Sequence, residues 1–209
     1  AYAILGIFFG IQLFSLVSIL LQTPAVLQKR THFPQVSILL AARNEEKLII
    51  RNLEAINKLN YPKEYLEVLI GNDASTDNTS ALIAEFIQDK PHFKLFQIDK
   101  TVGKGRGKAN VLGQLAHEAN GEFYFITDVD VKLSENWILG LLQEFTDGVG
   151  LVSGTTKCER AGLFATLQGI DWLHFMGYIK AFANAGIGCT SVGNNMAVRA
   201  EAYWQTGGY

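Results

Sequence analysis

Residues 121–131 have the sequence GEFYFITDVDV. Its aromatic and β-branched part predicts a buried strand, which ends abruptly in the carboxylates of Asp128 and Asp130. Because side chains at i and i+2 of an extended chain point to the same side, we expect these two carboxylates to converge on one ligand. Paired aspartates at the carboxyl end of a strand suit a hard divalent cation. The alternative is a polar turn that only ends the strand.

Around this stretch, predicted strands and helices alternate four times with short connections. A continuous apolar run predicts a buried strand at 36–40. Further strands are predicted at 66–70 and 93–98, in addition to the strand that begins at Gly121. Apolar residues at helical spacing predict helices around 49–59, 82–87, 109–119 and 137–145. A further helix is expected around 163–182, followed by a glycine- and asparagine-rich piece at 186–199. The pattern predicts an α/β fold with a mostly parallel open sheet flanked by helices.

Three polar loops follow three of the predicted strands, at 43–46, 72–77 and 128–130. Parallel strands share a direction, so we expect all three loops to open on one edge of the sheet, where ligands bind in open α/β folds. Asn44 is a candidate N-cap for the first helix after the sheet begins. Asp77 fits a capping segment of the next helix, which leaves Asp73 to face a ligand.

A glycine-rich basic loop, GKGRGK at 103–108, precedes a predicted helix. Its cations and the helix N-terminus would favour an anion such as a phosphate, with Lys108 the favoured contact. The spacing matches neither a Walker A loop nor a Rossmann fingerprint. The alternative is a solvated basic loop without a ligand.

Residues 1–22 are almost uninterrupted apolar sequence, about 33 Å long as a helix at roughly 1.5 Å per residue. We therefore predict a transmembrane helix at 1–23, a linker at 24–34 and one catalytic domain at 35–209. Lys29 and Arg30 follow the span, which predicts a cell (inner) membrane protein whose remaining chain is cytoplasmic. A buried core helix is the alternative.

Composition excludes several classes of function. A net charge of −2 over 209 residues gives no electrostatic support for nucleic-acid binding. The four histidines have no metal-ligand spacing, and no serine has the context of a hydrolase nucleophile. An aromatic cluster in the predicted helix around 163–182 has two interpretations: a platform for a sugar or lipid, or a packed core or membrane-facing cluster. Its residues are Trp172, Phe175 and Tyr178.

Five segments at 36–46, 68–79, 107–110, 121–131 and 193–199 occur in this order, and together they resemble the family-2 glycosyltransferases of the GT-A fold. The resemblance covers roughly residues 34–209. It implies transfer of a sugar from a nucleotide-sugar, most often a UDP-sugar, with inversion at the anomeric carbon and with Mg²⁺ or Mn²⁺ at the diphosphate. With the predicted membrane helix, it favours a lipid-linked or envelope glycan acceptor.

The resemblance also implies roles for individual positions. The donor-binding residues would be Ala42, Glu45, Asp73, Lys108 and Asp128. Asp130 would ligate the metal, with Asp128 touching the ribose or the metal. The acceptor and sugar side would be lined by Gly193, Asn194 and Asn195.

The sequence departs from the family pattern at Asn72, where an aspartate is common, and at Gly113, where an asparagine is common. The family's catalytic base follows a Gly-Gly-aromatic sequence, which here is 207–209. We therefore expect the base beyond Tyr209 and expect this chain to lack it. Two alternatives stay open: a non-catalytic nucleotide-binding membrane module, and a sugar-phosphate nucleotidyltransferase. The latter would need a glycine-rich loop directly after the first strand, where 41–46 is AARNEE.

Overall fold

The structure is a computed structural model that describes residues 2–20, 32–159, 162–188 and 190–209. It separates into two compact units. The sheet unit comprises Leu27–Gly154 and Gly193–Tyr209, and the helical unit comprises Ala1–Val26 and Thr155–Val192. The predicted boundaries at 1–23, 24–34 and 35–209 stay predictions, and positions 21–31 lie outside the described residues.

The described residues of the sheet unit form one six-stranded sheet. The strands are β1 (Val36–Ala42), β2 (Leu66–Asn72), β3 (Phe93–Gln97), β4 (Phe123–Thr127), β5 (Leu151–Ser153) and β6 (Asn195–Arg199). Their order in the sheet is β3-β2-β1-β4-β6-β5. The first four are mutually parallel, whereas β6 runs antiparallel to both β4 and β5. The prediction of a mostly parallel α/β sheet is therefore confirmed.

Helices cover both faces of this sheet. They are α2 (Ile49–Asn57), α3 (Thr79–Phe86), α4 (Lys108–Glu118), α5 (Trp137–Gln143) and α7 (Ala200–Gln205). On one face, residues of α2, α3 and α5 share a buried cluster with Ile38 and Leu40 of β1, and on the other, residues of α4 and α7 share a cluster with Leu39. Both faces of β1 are thus dry, which explains why its sequence is a continuous apolar run.

Close packing of α4 on β2 depends on a glycine. A Cβ at Gly71 would lie 2.3 Å from Cγ1 of Val111, so any larger residue would push the helix off the sheet. Gly71 comes just before the carboxyl end of β2. The absence of a side chain therefore keeps the start of α4 near the polar loops that follow the strands.

The structure corrects two details of the sequence-based picture. Asn44 is not the N-cap of α2, because that helix begins only at Ile49 and Asn44 adopts a left-handed φ of 54°. The glycine- and asparagine-rich piece at 186–199 contains a strand, β6, which the sequence did not predict. Its residues Met196, Ala197 and Val198 are buried because β6 lies between β4 and β5.

The helical unit contains α1 (Tyr2–Leu20) and α6 (Gly162–Asn184), which pack together with Phe14 and Phe182 5.5 Å apart between ring centroids. The bounds of α6 match the helix predicted around 163–182. Within the described ranges, no helix combines the length and the apolarity that crossing a bilayer requires. The predicted transmembrane helix at 1–23 is therefore not supported by the structure, and positions 1 and 21–23 lie outside the described residues.

Candidate functional site

A cleft of about 440 Å³ opens at the carboxyl edge of the sheet unit. Residues from the loops after β1, β2 and β4 line it together with the start of α4. All the predicted donor-binding and metal-binding residues are among them: Ala42, Glu45, Asp73, Lys108, Asp128 and Asp130. The expectation that three polar loops meet at one sheet edge is confirmed, while the roles of the individual residues stay predictions.

The acidic pair lies on a turn rather than on the strand itself. β4 ends at Thr127, and the backbone N–H of Val131 donates to the carbonyl of Asp128 at 3.3 Å. Val129, only 3% exposed, packs into the core between the two aspartates. Both carboxylates therefore reach the cleft as predicted, but a turn anchored by Val129 brings them there instead of the alternation of an extended chain.

Helix α2 holds this turn from below. Nδ2 of Asn52 donates to the carbonyl oxygens of Asp128 and Val131 at 3.2 and 3.3 Å, and the Asn52 side chain is buried. The Arg51 guanidinium donates to the carbonyl of Asp130 at 3.3 Å. Neither residue was predicted from the sequence. The available signal was a polar residue, Asn52, within the apolar stripe of α2 beside Ile49 and Ile56.

Lys108 joins two distant segments at the cleft. It is the first residue of α4, after Gly107, whose φ of 52° favours glycine. Its Nζ forms an ion pair with the Asp128 carboxylate and also donates to the carbonyl of Gly193 at 3.0 Å. The predicted basic contact thus faces the acidic turn, in the position from which a cation would meet an anionic group bound in the cleft.

The loops after β1 and β2 are fastened to each other by side chain–backbone hydrogen bonds. Oδ1 of Asn44 accepts from the Thr76 N–H at 2.8 Å, and the Glu45 N–H donates to Oγ1 of Thr79 at 2.7 Å. Oδ1 of Asp77 accepts from the Thr79 N–H at 3.0 Å, while its Oδ2 accepts from the Glu46 N–H at 3.2 Å. Asp77 therefore has the structural role predicted for it.

Two further acids of the cleft differ in their environment. The Asp73 carboxylate is largely buried and pairs with the exposed guanidinium of Arg43 at 3.4 Å. The pKa of Glu45 is raised above its ordinary value by burial, and further by the negative charges of Asp130 and Asp128. The raised pKa of Glu45 thus reflects, in part, the negative charge of the carboxylates on the acidic turn.

The residues present fit a divalent cation that is shared with a bound diphosphate. No cluster of three or more histidine, cysteine or acidic side chains is arranged to hold a metal in the described part of the chain. Mg²⁺, however, is commonly held by one or two carboxylates together with substrate phosphates. Asp128 and Asp130 would supply those carboxylates. The Asp130 side chain is exposed and has no ion pair with any described residue.

The predicted acceptor side has a mixed outcome. Gly193 contacts Lys108 through its carbonyl, and Asn194 is half-buried. The Asn195 side chain instead accepts from Nε1 of Trp137 at 2.8 Å. It also fills the space beside Gly154, where a Cβ would lie 2.5 Å from its Oδ1. Asn195 therefore fastens β6 to α5, and its proposed contact with an acceptor stays a prediction.

The fold has a counterpart among known structures. A mannosyltransferase, PcManGT from Pyrobaculum calidifontis, solved in complex with GDP-Man and Mn²⁺, superposes with a TM-score of 0.78 at 24% identity. That likeness covers 100% of this chain and 57% of the mannosyltransferase. It assigns the fold to the GT-A-like class.

Sequence comparison then gives the family. The profile of Glycosyl transferase family 2 matches residues 37–207, so the chain belongs to that family. A probable glycosyltransferase, YdaM of Bacillus subtilis (strain 168), is 32% identical over 187 residues, covering 84% of this chain and 43% of YdaM. The poly-beta-1,6-N-acetyl-D-glucosamine synthase of Staphylococcus epidermidis is 27% identical over 180 residues, covering 82% and 42%. The chain thus spans less than half the length of these relatives.

Proposed function

We propose that the protein transfers a sugar from a nucleotide-sugar, favouring a UDP-sugar, to a lipid-linked or envelope glycan acceptor. Transfer would be inverting and assisted by Mg²⁺ or Mn²⁺. The observation that carries the proposal is that Ala42, Glu45, Asp73, Lys108, Asp128 and Asp130 all line one cleft at the carboxyl edge of the sheet. Membership of Glycosyl transferase family 2 and the relatives' names support sugar transfer.

In this proposal, different residues of the cleft contact the base, the diphosphate and the divalent cation. Asp73, held by Arg43, offers a carboxylate to the donors of a nucleobase, and the buried Ala42 gives the ring a flat apolar neighbour. The ammonium of Lys108 offsets negative charge on a diphosphate. Asp128 and Asp130 would hold a divalent cation, which when bound stabilises the charge that develops on the leaving diphosphate.

Positioning by this chain is the main contribution to rate in this proposal. The turn at 128–131 is held at three carbonyls by α2, so the carboxylates are pre-oriented before the substrate arrives. Pre-organised charge in a partly desolvated cleft stabilises a developing anion more than the same charge in water. The oxygen of the acceptor hydroxyl would attack the anomeric carbon as the bond to the diphosphate breaks, and the hydroxyl proton would pass to the acidic base expected beyond Tyr209.

Calorimetry tests the proposal. UDP-glucose, UDP-N-acetylglucosamine and GDP-mannose are titrated into the chain with Mn²⁺ and with EDTA, using wild type, Asp130→Ala and the exposed-acid control Asp147→Asn. We expect binding of at least one donor to weaken at least about tenfold with EDTA and with Asp130→Ala, and to be unchanged in the control. Tight binding that survives both EDTA and Asp130→Ala would refute the metal assignment.

A membrane location of the full-length protein is kept as a prediction from the apolar sequence at 1–22 and the basic pair that follows it. We expect the full-length protein to pellet with the inner-membrane fraction and to resist extraction by carbonate at high pH. Its catalytic domain should be digested by protease only in inverted vesicles. Recovery in the supernatant after carbonate would contradict this prediction.

The two alternatives make different predictions for the same protein. A nucleotidyltransferase would form a nucleotide-sugar from a sugar phosphate and a nucleoside triphosphate, and the family match gives no support for that reaction. A non-catalytic module would bind a donor without turnover in the full-length protein. Release of nucleoside diphosphate by the full-length protein with a glycan acceptor separates transfer from both.

A further inference from the structure

The helical unit has a cleft of its own, of about 430 Å³, which no part of the proposed donor chemistry uses. Its walls come from α6 and from Cys158. Gln168, Asp171, Phe175 and Tyr178 follow one another at helical spacings of three and four residues, so they share one face of α6. This volume is within the usual range for small-molecule sites, roughly 300–1,000 Å³.

The aromatic walls of this cleft are held in place. Nε1 of Trp172 donates to the carbonyl of Thr156 at 2.9 Å, which fixes the indole against the preceding segment. The rings of Trp172 and Phe175 lie 5.9 Å apart. Since the polar group of the indole is already satisfied, its apolar ring surface is what remains to offer a ligand.

A second ring pair completes the wall. The His174 ring lies 4.7 Å from that of Tyr178, and its Nε2 contacts Oε1 of Gln12 in α1 at 3.0 Å. His174 is thereby engaged within the helical unit. His174 therefore lines the cleft with its ring, while its Nε2 is already hydrogen-bonded to Gln12.

The cleft also contains two polar side chains that no described residue satisfies. Asp171 and Gln168 are exposed, one helical turn apart, and neither forms a hydrogen bond or an ion pair with any described residue. A carboxylate accepts two hydrogen bonds side by side, and an amide both donates and accepts. Fixed rings beside a free carboxylate and a free amide form a site for a ligand that has one apolar face and several hydroxyls.

We propose that this cleft binds a sugar residue of a saccharide acceptor. The apolar face of the sugar ring would pack on Trp172, neighbouring hydroxyls would donate to the Asp171 carboxylate, and Gln168 would contact a further hydroxyl. A lipid chain would instead bury that carboxylate against hydrocarbon without a partner, which is costly. A quaternary ammonium ion such as that of choline has no N–H group to donate to the Asp171 carboxylate or to the Gln168 amide oxygen. The assignment to an acceptor rests on the proposed function.

Calorimetry and saturation-transfer NMR on the intact chain test this site. The probes are an N-acetylglucosamine trisaccharide and a mannose trisaccharide, with choline and phosphatidylcholine vesicles as arms for a cation and a lipid surface. We expect a trisaccharide to bind with its ring protons saturated from aromatic side chains. Trp172→Ala and Asp171→Asn should each weaken that binding at least about tenfold.

Matched controls separate recognition from folding. Leu173→Ala alters an exposed residue of α6 that does not line the cleft, and Asp147→Asn removes an exposed acid from the sheet unit. Both should bind the trisaccharide like wild type. Should Trp172→Ala fail to fold, Asp171→Asn decides, because Asp171 is exposed and makes no contact that folding would lose.

The outcomes distinguish this site from the donor cleft. Donor binding is measured on the same samples, and Asp171→Asn should leave it unchanged. If wild type bound no donor, the proposed function would be refuted. Trisaccharide binding would still be measured separately and would still test the cleft in the helical unit. No trisaccharide binding, binding unchanged in Asp171→Asn, or a preference for choline or vesicles over both saccharides would overturn the inference.

Discussion

At the scale of single residues, Asn52 is the side chain whose replacement most directly tests how the acidic turn is held. Asn52→Leu keeps the approximate volume but removes the donors to the carbonyls of Asp128 and Val131. Leaving buried carbonyls unsatisfied should cost about 1–3 kcal/mol of stability. We also expect the Mn²⁺ concentration for half-maximal donor binding to rise about tenfold, measured by calorimetry.

The control is Asn57→Leu, on the same helix but without a contact to the turn. It should leave the Mn²⁺ requirement unchanged, and nucleotide affinity in EDTA should be similar in both variants. If Asn52→Leu lost stability without any change in the Mn²⁺ requirement, Asn52 would have a structural role alone.

The charged residues of the cleft could be predicted from the sequence, but the side chain that positions the acidic turn could not. Asp73, Lys108, Asp128 and Asp130 could be predicted because each follows or begins a regular element, so their position at the sheet edge comes from topology. Asn52 acts through Nδ2 contacts to residues 76 and 79 positions further along the chain. Contacts of that separation leave no periodicity in the sequence.

At the scale of secondary-structure elements, Glu67 of β2 fastens the amino end of the sheet. Its Oε1 accepts from the Ser37 hydroxyl at 2.7 Å and from the Asn120 N–H at 2.6 Å, and Lys94 contacts Oε2 at 3.3 Å. Partial burial alone would raise the pKa of Glu67. The hydrogen bonds from Asn120, Ser37 and Lys94 outweigh burial, so the pKa of Glu67 lies below its ordinary value of 4.5.

The lowered pKa gives a signed prediction. An acid whose pKa is lower in the folded state than in the unfolded state stabilises the protein at pH values above its unfolded-state pKa. That stabilisation is lost as the pH falls through the folded-state pKa. We expect wild type to lose stability below about pH 4.5. Glu67→Gln should be about 1–2 kcal/mol less stable at pH 7 and should depend less steeply on pH in that range. Urea unfolding between pH 3 and 7 measures both, with Glu54→Gln as an exposed control on α2.

Strands could be predicted from the sequence where helices bury both of their faces, but not at the edge of the sheet formed by β6 and β5. β1 is a continuous apolar run and β2 is mostly apolar because helices cover both sides of each strand. β5 has only three residues and Leu151 is exposed, so it has neither the length nor the apolar pattern of a predictable strand. β6 follows an irregular glycine-rich segment, and its burial arises from pairing with β4, 68 or more positions earlier in the chain.

At the scale of the whole molecule, donor and metal should stabilise the fold together. A ligand at one hundred times its Kd adds about 2.7 kcal/mol, and each kcal/mol raises the Tm of a chain of this size by roughly 2–4 °C. Differential scanning fluorimetry with a bound nucleotide-sugar and Mn²⁺ should therefore show a rise of about 5–10 °C.

Asp130→Ala should fold with a wild-type Tm when no ligand is present, because its exposed carboxylate makes no ion pair with the described residues. Its Tm should then show little response to donor plus Mn²⁺. An equal rise in Asp130→Ala would place the stabilising ligand elsewhere.

The ion pair between Lys108 and Asp128 has a thermodynamic consequence for the order of events in the cleft. One ammonium cannot neutralise the aspartate and a diphosphate to the same extent at once. In the proposed function, a diphosphate that draws the ammonium away would leave the aspartate with an uncompensated charge that attracts a metal ion. A metal bound first would likewise release the ammonium. Linkage makes this assistance reciprocal, so each partner tightens the other by the same factor. A mixture of both should occupy the protein at concentrations where either one alone leaves it mostly empty.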